Sequence, residues 1–510
     1  MRSVLVVGAG PTGLVMALSL ARRGVPVRII DKKAGPTEES RAMGLHARTL
    51  EFYQQFGFAE AVVDRGLIAE EVRFRAGDRD VARFSLQAMG DGLSPYPFML
   101  TFPQDEHERF LLDRLAELGV TVQWGATLDD SSDRGDDVEA VIAIGGTTEP
   151  SVHAYIVGCD GAHSRVREVL GIGFPGGSSE QLFYVADAAV TGPAHDEVYV
   201  SVRGEGLALM MPVRTTDSFR IIGLVPPDVR QQQSVRWPDV REHVDSLLGF
   251  VVGEVNWFST YRVHHRVAEH FRAGRAFIAG DAGHIHSPAG GQGMNTGIGD
   301  AVNLSWKIAE VMARRSDSAL LNSYERERIP FARSLIATTD RAFKFLVDDH
   351  PVARMARAQL VPRVVATVTK LARARRLIFM TVSQTRISYR DCAFNSGKAG
   401  AIRGGDRLPW IPTADGGNFA PLQSLSWQLH SYGQPAPGVV EAAAHLTLAV
   451  HRFPWSDAAG RAGVERDASY LFRPDGYVAL ALGSTEPGDV LTRFVEGRHL
   501  DVSGPTSAHS

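Results

Sequence analysis

Along the first part of the chain, short and mainly apolar runs alternate with longer stretches in which apolar residues recur at helical spacing. The runs at 3–7 and 25–30 predict buried strands, and the stretches at 14–21 and 42–56 predict helices. Strands that alternate with helices are typical of a parallel sheet covered by helices. The start of the chain therefore predicts an α/β unit.

The pattern changes over residues 182–267, where polar and apolar residues alternate in several short segments separated by turn formers. This period of two predicts a mainly antiparallel sheet, interrupted by one helix at 237–248. Residues 76–101 also alternate and are assigned to the same layer. The antiparallel sheet is therefore predicted to be an insertion into the first unit.

The segments on either side of the insertion complete the first unit. Before it, residues 106–118 have the helical period, while 120–124 and 138–144 predict a strand pair around a polar hairpin. After it, residues 276–279 predict another buried strand, and 292–315 predict a long, mostly apolar helix.

Residues 331–390 are predicted to be helical throughout, and the chain beyond them has short strands punctuated by glycine and proline. Between residues 351 and 376 there are seven Lys or Arg and no Asp or Glu. We interpret this as a basic helix that faces solvent or an acidic domain face; the alternative is a site for an acidic partner or a phosphate. The patterns divide the chain into a first unit (1–75, 102–178 and 268–345), an inserted sheet (76–101 and 179–267), a helical linker (346–390) and a C-terminal domain (391–510).

The composition is that of an ordinary globular protein, with 44% hydrophobic residues, 22% charged residues and a net charge of −4. This balance gives no reason to expect nucleic acid or an anionic membrane as a partner. Apolar runs stay below the ~18 residues of a transmembrane helix, and glycines interrupt the stretch that imitates a signal peptide. The two cysteines, Cys159 and Cys392, form no CxxC, so neither a disulfide framework nor a structural zinc site is indicated. A cytoplasmic protein is expected.

A glycine-rich turn follows the first predicted strand and opens the first helix; it has the sequence Gly8-Ala9-Gly10-Pro11-Thr12-Gly13. This strand–turn–helix context is what a dinucleotide-binding turn requires. Gly8 permits the tight turn, Gly10 lets a pyrophosphate approach the backbone, and Gly13 allows close packing of helix and strand. The second strand ends at Asp31, beside Lys32, where a carboxylate can bind an adenosine ribose hydroxyl.

A second glycine-rich turn follows the buried strand at 276–279. It runs Gly280-Asp281-Ala282-Gly283-His284-Ile285-His286-Ser287-Pro288-Ala289-Gly290-Gly291-Gln292-Gly293-Met294-Asn295. Asp281 lies at the carboxyl end of its strand, where open α/β sheets bind ligands, and its carboxylate suits a sugar-alcohol hydroxyl. The N-terminus of the following helix carries about half a positive charge and favours a negatively charged group. His284 and His286 alone are not a metal-binding pattern, so no metal is predicted.

The order and spacing of these two turns and of Cys159-Asp160-Gly161 resemble the FAD-binding pattern of the p-hydroxybenzoate-hydroxylase-like flavoprotein monooxygenases. The resemblance covers nearly the whole chain and implies non-covalent FAD. It implies a cofactor-binding role for Gly8, Gly10, Pro11, Thr12, Gly13, Asp31, Lys32, Arg41, Gln104, Asp160, Asp281, Pro288, Gly291, Gln292, Gly293, Met294 and Asn295. It places Pro288, Gly290 and Gly291 in a loop beside the flavin ring and the substrate. Helix capping is the structural alternative for both Asp160 and Gln104, and Asp160 could also anchor Arg165.

The last part of the chain carries two further signatures, Gly405-Asp406-Arg407-Leu408-Pro409 and Leu471-Phe472-Arg473-Pro474-Asp475-Gly476-Tyr477-Val478-Ala479. They look like the start and the end of the thioredoxin-like C-terminal domain found in some members of this family. Without a CxxC such a domain cannot run dithiol chemistry, so packing or oligomerisation is the expected role, in a monomer or a homodimer. The implied fold is α/β: a Rossmann-like FAD-binding domain with an inserted, mainly antiparallel substrate-binding sheet, a helical segment and the thioredoxin-like domain.

The resemblance implies an NAD(P)H- and O₂-using monooxygenase that hydroxylates an aromatic, phenolic or polyketide-like substrate through a C4a-hydroperoxyflavin. One dinucleotide turn suffices because NADPH or NADH binds transiently in this family. The cofactor supplies the chemistry, so no metal or nucleophile is required. The alternatives are Baeyer–Villiger oxygenation of a polyketide ketone or quinone, and a flavin-binding scaffold without turnover.

The substrate pocket is expected between the inserted sheet and the flavin. Its candidate lining residues are Phe183, Met210, Met211, Pro212 and Ile222. Successive residues of a strand point to opposite faces, so alternation alone does not decide which of them face the pocket.

Overall fold

A computed structural model shows a chain built around a six-stranded, mainly parallel sheet, called the parallel sheet below. The structure describes residues 2–37, 42–203, 206–213, 218–232, 234–286, 291–347, 371–414 and 416–503. The strands of the parallel sheet lie in the spatial order Arg272–Ala273, Ala276–Ile278, Tyr155–Gly158, Val4–Val7, Val27–Asp31 and Val122–Trp124. Arg272–Ala273 pairs antiparallel with its neighbour, and the other five strands pair in parallel. The predicted α/β unit is confirmed.

The helix Gly293–Met312, called the central helix below, lies in the middle of this unit. It packs against the first helix, Pro11–Ala21, where Ser19 and Ser305 share a hydrogen bond of 2.7 Å. Every residue of the central helix from Asn295 to Glu310 is buried. Because a buried polar group costs free energy unless it is paired, the polar side chains of this helix need partners in the surrounding elements.

The inserted sheet has eight strands, in the spatial order His284–Ile285, Val251–Val267, Gly176–Thr191, Ser218–Leu224, Gly206–Val213, Glu197–Arg203, Glu71–Ala76 and Arg79–Ser85. All neighbours pair antiparallel except Glu197–Arg203 and Glu71–Ala76, which are parallel. The helix Trp237–Leu248 covers one face, at the residues predicted from the sequence. The mainly antiparallel insertion is confirmed, and its sheet takes in residues a few positions before 76.

The predicted pairing of 120–124 with 138–144 is wrong. Val122–Trp124 joins the edge of the parallel sheet, beside Val27–Asp31. A separate three-stranded sheet is formed by Ala126–Asp133, Val138–Ile144 and Thr147–His153, in which the middle strand pairs antiparallel with both others. The polar stretch 129–137, which was interpreted as a hairpin, therefore begins inside the strand Ala126–Asp133, in which the alternate residues Ala126 and Leu128 are buried.

In the described part of the first 390 residues, the remaining helices are Ala47–Gln55, Ala59–Arg65, Leu86–Gly90, Gln104–Ala116, Arg165–Val169, Asn322–Val347 and Ala372–Val382, with short 3-10 turns at Gly280–Ala282 and Ser318–Leu321. A third small sheet joins Gly44–Leu45, Met99–Thr101 and Leu67–Ala69. The prediction that 331–390 is helical throughout is wrong for 383–390, and residues 348–370, with most of the basic stretch, lie outside the described part. None of the helices in the described ranges is long and apolar enough to cross a membrane.

The C-terminal domain has the predicted thioredoxin-like topology. Its core strands lie in the order Ala449–Phe453, Gln428–Tyr432, Ser469–Phe472 and Val478–Leu482. The first two are parallel and connected through the helix Pro437–His445; the later pairs are antiparallel. Ser396–Ala399 and Ile402–Arg403 extend the sheet at one edge, and the other helical elements are Ala420–Ser424, Asp457–Arg461 and Asp489–Glu496.

Candidate active site

The strand order of the parallel sheet brings the sequence motifs to one edge. The glycine turn follows Val4–Val7, Asp160 follows Tyr155–Gly158, and Asp281 follows Ala276–Ile278. Asp31 is the last residue of the neighbouring strand. These four strands are adjacent and parallel, so their carboxyl ends share one edge over about 14 Å at the usual strand spacing. This is the edge at which open α/β sheets bind ligands.

The three glycines of the first turn are constrained in different ways. Gly8 has a φ of +105°, and a Cβ there would overlap the carbonyl oxygen of Cys159. A Cβ on Gly13 would overlap the carbonyl oxygen of Gly8. Gly10 differs, because its φ is −75° and a Cβ there would meet no atom within 4 Å. The space in front of Gly10 is thus open, at the start of a helix whose first N–H groups have no partner within the helix.

Thr12 is the point at which the glycine turn, the Gly280–Asp281 turn and the central helix meet. A Cβ on Gly280 would lie 2.7 Å from Thr12 Oγ1, and a Cβ on Gly297 would overlap the same oxygen. Gly280 itself has a φ of +63°. Glycine is required at both positions for the two helices to begin at the same edge of the sheet, and the two predicted turns therefore form one site.

The Asp31 carboxylate stabilises the glycine turn. Its Oδ2 accepts a hydrogen bond of 2.6 Å from the Ala9 N–H, and its Oδ1 accepts one of 2.8 Å from the Lys33 N–H. A carboxylate oxygen can accept more than one hydrogen bond, so these contacts leave room for a ribose hydroxyl. Lys32, next to it, is exposed.

Asp160 caps a helix, which is one of the two structural roles that the sequence left open for it. Its Oδ2 accepts a hydrogen bond of 3.1 Å from the Val166 N–H, in the first turn of Arg165–Val169. The Arg165 guanidinium instead donates to the Asp129 carbonyl at 2.7 Å, so Asp160 does not anchor this guanidinium. Burial raises the pKa of the Asp160 carboxyl above its ordinary value.

Asp281 follows Gly280 at the carboxyl edge of the parallel sheet, and it remains exposed to solvent. Neighbouring protein atoms partly desolvate its carboxyl and raise the pKa of this group. The charge on His284 lowers the same pKa, and the charge on Asp300 raises it further. A solvent-accessible carboxylate near the starts of two helices can accept hydrogen bonds from a polyol bound at this edge.

Asp300, on the central helix, holds this turn in place and was not found by sequence reasoning. Its Oδ2 accepts hydrogen bonds from the Gly280 N–H at 2.9 Å and from His284 Nε2 at 2.7 Å. Its Oδ1 accepts one from Arg328 Nε at 2.5 Å. Burial alone would raise the pKa of Asp300, but Arg328 and His284 lower it to about 2. An aspartate inside a mostly apolar helical stretch was the available signal, since such a residue needs a buried partner.

The start of the central helix contains the other predicted residues. Gly291 has a φ of +62°, Gln292 is the buried residue that precedes the helix, and Gly293 and Met294 are half-buried in its first turn. The Asn295 side chain accepts hydrogen bonds from the His46 N–H at 2.9 Å and from Thr49 Oγ1 at 2.7 Å. It also donates to the carbonyls of Gly44 at 2.8 Å and Gly291 at 3.0 Å.

Asn295 has thus used its side-chain hydrogen bonds within the protein, and any contact with a cofactor would come from its backbone. Arg41, Pro288 and Gly290 lie outside the described residues. Gln104 begins the helix Gln104–Ala116 and donates to Glu108 Oε1 at 2.8 Å, while its own Oε1 accepts a hydrogen bond of 3.4 Å from the Ala42 N–H. Gln104 therefore lies beside the segment that follows Arg41.

The strand registers show which candidate pocket residues share a face of the inserted sheet. Met211 lies in one apolar cluster with Ile222 and with Met43, from the segment next to the start of the central helix. Phe183 shares this face, because it alternates with Val185, whose direct partner is Ile222. Met210 and Pro212 point to the opposite face, where Met210 packs under the helix Trp237–Leu248.

The face that carries Met211 also has a charged pair. Arg220 is the direct partner of both Met211 and Asp187 in the neighbouring strands. It is 2% exposed and donates to the two Asp187 oxygens at 2.8 and 2.6 Å. This face is therefore apolar and aromatic with a polar group within it, which is typical of small-molecule pockets. Among the described residues, no group of three or more His, Cys, Asp and Glu side chains is placed to hold a metal ion.

Comparison with known proteins extends this description. Residues 1–339 match the family described as FAD binding domain. The chain is 33% identical to the 6-methylpretetramide 4-monooxygenase of Streptomyces rimosus, over 98% of this chain and 93% of that protein. Two solved structures cover 99% of the chain and 99% of their own length. They are the OxyS anhydrotetracycline hydroxylase from Streptomyces rimosus, with a TM-score of 0.78 and 27% identity, and CabE, an aromatic hydroxylase from angucycline biosynthesis, with a TM-score of 0.76 and 28% identity.

Proposed function

We propose a phenol with several fused rings, of polyketide type, as the substrate of this chain, which belongs to the FAD binding domain family and, like its monooxygenase relatives, is a FAD-dependent monooxygenase. The enzyme uses NAD(P)H and O₂ and hydroxylates an aromatic compound. Three proteins that match the chain over nearly its whole length are named for 6-methylpretetramide, anhydrotetracycline and angucycline biosynthesis, whereas a relative named for pentachlorophenol matches 80% of it. These names support a fused-ring substrate over a single-ring phenol.

One observation carries the placement of FAD: the open space in front of Gly10 and the solvent-accessible carboxylate of Asp281 lie on the same edge of the parallel sheet, near the starts of two helices. An extended dinucleotide fits such an edge because its phosphates can face a helix start while its sugar hydroxyls meet carboxylates at the ends of neighbouring strands. The residues present therefore fit the cofactor.

The individual roles follow from these positions. The pyrophosphate would be held by the glycine turn, at Gly8, Gly10, Pro11, Thr12 and Gly13. Asp31 and Lys32 would bind the adenosine ribose, and Asp281 would bind the ribitol. The flavin ring would be held by the backbone of Gly291, Gln292, Gly293, Met294 and Asn295. Arg41, Gln104, Asp160, Pro288 and Gly290 keep the roles that the family resemblance implies. Asp160 would act by holding the Arg165–Val169 helix start beside the cofactor.

Bound FAD accepts a hydride from NAD(P)H and activates O₂, and the protein's part is binding and electrostatics. The N-terminus of the central helix would stabilise negative charge on a reduced ring held there. The buried network around Asp300 holds the Gly280–Asp281 turn in place, and would thereby position the Asp281 carboxylate for the cofactor. The apolar face of the inserted sheet excludes water from the reacting ring of the substrate, which strengthens these electrostatic interactions.

The substrate would lie between this face and the central helix. Phe183, Met211 and Ile222 offer flat, apolar contact to fused rings, and the Arg220–Asp187 pair offers polar contact to their oxygen substituents. In this assignment Met210 and Pro212 belong to the packing under the helix Trp237–Leu248 and have no contact with the substrate.

The domain division made from the sequence stays a proposal, with a discontinuous FAD-binding domain, an inserted substrate domain and a thioredoxin-like C-terminal domain. A cytoplasmic location and a monomer or homodimer are proposed with it. Two buried, unpaired thiols, Cys159 and Cys392, support a reducing compartment.

A turnover assay tests the proposal. NADPH and NADH oxidation by the purified yellow protein is measured without substrate, with single-ring phenols and with tri- and tetracyclic phenols, and the products are analysed after reaction under ¹⁸O₂. We expect stimulation by the fused-ring phenols and one labelled oxygen in a hydroxylated product. Stimulation by single-ring phenols alone would show the substrate class to be wrong. A ring-expanded lactone would select Baeyer–Villiger oxygenation, and the absence of NAD(P)H oxidation throughout would favour the scaffold.

A further inference from the structure

A tight turn of the C-terminal domain enters the centre of the molecule. It connects Ser469–Phe472 with Val478–Leu482 and contains Arg473, which is completely buried. Arg473 donates to both oxygens of Glu327, at 2.6 and 3.1 Å. Asp475, in the same turn, accepts a hydrogen bond of 3.0 Å from Trp306 Nε1 on the central helix. The C-terminal domain is thus held against the central helix by buried charges.

Tyr389 extends this contact toward the cofactor edge. Its ring packs between Cys392 and Tyr477, with 4.5 Å between the centroids of the two tyrosine rings. Its hydroxyl accepts a hydrogen bond of 3.0 Å from an Arg328 terminal nitrogen. The other terminal nitrogen of Arg328 donates to the Thr296 carbonyl at 3.1 Å. Tyr389 therefore fixes one branch of a guanidinium that is 1% exposed.

Arg328 carries the contact to the Asp281 turn. Its Nε donates to Asp300 Oδ1 at 2.5 Å, and the other oxygen of Asp300 accepts from the Gly280 N–H at 2.9 Å. Gly280 immediately precedes Asp281. An unbroken series of hydrogen bonds therefore leads from Tyr389, packed on the C-terminal domain, to the backbone that presents the Asp281 carboxylate.

We propose that Tyr389 is a positioning residue for FAD, through which the C-terminal domain sets the Asp281 turn by way of Arg328 and Asp300. The inference depends on the proposed role of Asp281 in holding the ribitol. It gives the thioredoxin-like domain a function in this protein that needs no redox chemistry. The chain of contacts is a spatial argument, and energetic coupling between the two ends is what has to be measured.

The physical reason is the cost of an unmade hydrogen bond. Removing the Tyr389 hydroxyl leaves a buried Arg328 N–H without an acceptor, so the guanidinium shifts toward other acceptors. Asp300 is bonded to Arg328 and to Gly280 at once, so a shift of the guanidinium moves or loosens the Gly280–Asp281 turn. Packing of the tyrosine ring is unaffected, because phenylalanine has the same ring.

The test compares Tyr389→Phe with Tyr432→Phe in the full-length protein. Tyr432 is a matched control, because it is 1% exposed and its hydroxyl accepts a hydrogen bond of 2.8 Å from Asn418 within the C-terminal domain. FAD is removed and its Kd is measured by flavin fluorescence. We expect Tyr389→Phe to raise the Kd about fivefold, or about 1 kcal/mol. Tyr432→Phe should leave it within about 1.5-fold, because the hydrogen bond that it loses lies within the C-terminal domain. Equal effects of the two variants would overturn the proposal.

Hydrogen exchange of the FAD-free protein gives a readout that does not depend on the cofactor. The Gly280 N–H is bonded to Asp300, so its exchange rate reports how firmly the turn is held. We expect faster exchange in the peptide containing Gly280 in Tyr389→Phe and no change in Tyr432→Phe. Unchanged exchange in both variants would contradict the proposal even if both bind FAD less well through lost stability.

A double-mutant cycle separates failure of this proposal from failure of the site assignment. If Tyr389 acts through Asp281, its effect on the FAD Kd should vanish in an Asp281→Asn background, since the contact that it positions is already weakened. Additive effects would show that Tyr389 acts by another route. If Asp281→Asn alone leaves the Kd unchanged, the ribitol assignment is wrong, whereas the exchange experiment still decides whether Tyr389 controls the turn.

Discussion

Gly8, Gly10 and Gly13 occupy one turn but have different constraints, and this gives a test with an internal control. A Cβ on Gly10 meets open space, whereas a Cβ on Gly13 overlaps the Gly8 carbonyl oxygen. Gly10→Val should therefore fold and fill the space proposed for the pyrophosphate. We expect at least tenfold weaker FAD binding, with the melting temperature of the FAD-free protein unchanged within about 2 °C, as for surface substitutions.

Gly13→Ala is the matched substitution, and it should destabilise the fold itself. Its methyl group overlaps backbone, so it should lower the melting temperature of the FAD-free protein, in line with an overpacking cost of about 1–3 kcal/mol or more. Both variants are measured by differential scanning fluorimetry and by FAD titration. Normal flavin content in Gly10→Val would mean that the phosphates bind elsewhere.

Asp281 should make FAD binding depend on pH. Desolvation raises the pKa of its carboxyl above the ordinary value of about 4. The ionised carboxylate is the better acceptor for a ribitol hydroxyl, so affinity should be complete above the raised pKa and should fall as the pH drops through it. We expect the FAD Kd to rise as the pH is lowered from about 7.5 toward the ordinary carboxyl pKa, because a raised pKa moves the titration of Asp281 to a higher pH.

Asp281→Asn is the control for this pH dependence, because an amide does not titrate in this range. A hydrogen bond to a charged group contributes about 1.5–3 kcal/mol, so the variant should bind FAD about tenfold or more weakly at pH 7.5. Its Kd should then change little toward pH 5. A pH dependence equally steep in the variant would assign the effect to another group.

Residues of the candidate site could be predicted where the constraint is local. The glycine turn and Asp281 follow strands directly, so neighbouring residues in the sequence define them. Asp300 and Arg328 could not be found in this way, because Arg328 lies 28 residues beyond Asp300 and 61 residues before Tyr389. Only the folded chain shows that they are bonded.

At the scale of elements, helices with long periodic patterns were the most predictable. The helix expected at 292–315 is Gly293–Met312, and that at 237–248 is Trp237–Leu248. Strand pairing was less predictable: Val138–Ile144 was placed correctly as an element but given the wrong partner. A strand's residues determine its two faces, whereas its partner depends on how the whole sheet is assembled.

Buried ion pairs between elements predict a loss of stability in acid. Burial would raise the pKa of Glu327, but Arg473 and Lys307 beside it lower it to about 2. A carboxylate with a lowered folded-state pKa contributes stability that is fully present above its ordinary pKa of about 4 and is lost as the pH falls toward the folded value. We expect the melting temperature to fall steeply between about pH 4 and pH 2 in the wild-type protein.

Glu327→Gln identifies the source of this loss. Lys307 would remain buried without a charged partner, and Arg473 would keep only Asp475; breaking a buried ion pair in this way typically costs about 3–5 kcal/mol at neutral pH. The difference in melting temperature between the wild-type protein and the variant should shrink as the pH approaches 2. A constant difference over the whole range would show that Glu327 is not the titrating group.

At the scale of the whole molecule, the C-terminal domain is expected to be redox-inert. Cys392 is buried at its boundary, and burial raises the pKa of its thiol, which disfavours the reactive thiolate. Cys392→Ser should therefore leave NAD(P)H-dependent turnover within about twofold, with unchanged FAD content. A large loss of turnover with normal flavin content and folding would mean that this thiol takes part in the reaction.

The same domain should nevertheless be needed for solubility and FAD binding, because buried charged and apolar side chains of the first unit pack against it. Glu327 and Lys307 are buried with Arg473, and Glu51 accepts a hydrogen bond of 2.9 Å from Arg407, at a position where it is completely buried. A chain ending at residue 390 would remove Arg473 from Glu327 and Arg407 from Glu51, and would expose the apolar face around Trp306 and Leu320 that now packs on the domain. Exposed apolar patches of this kind promote aggregation.

We expect the shortened chain to be insoluble or to lack FAD, as measured by size-exclusion chromatography and flavin absorbance. A soluble, FAD-replete protein of residues 1–390 would contradict both the packing role of the domain and its influence on the cofactor.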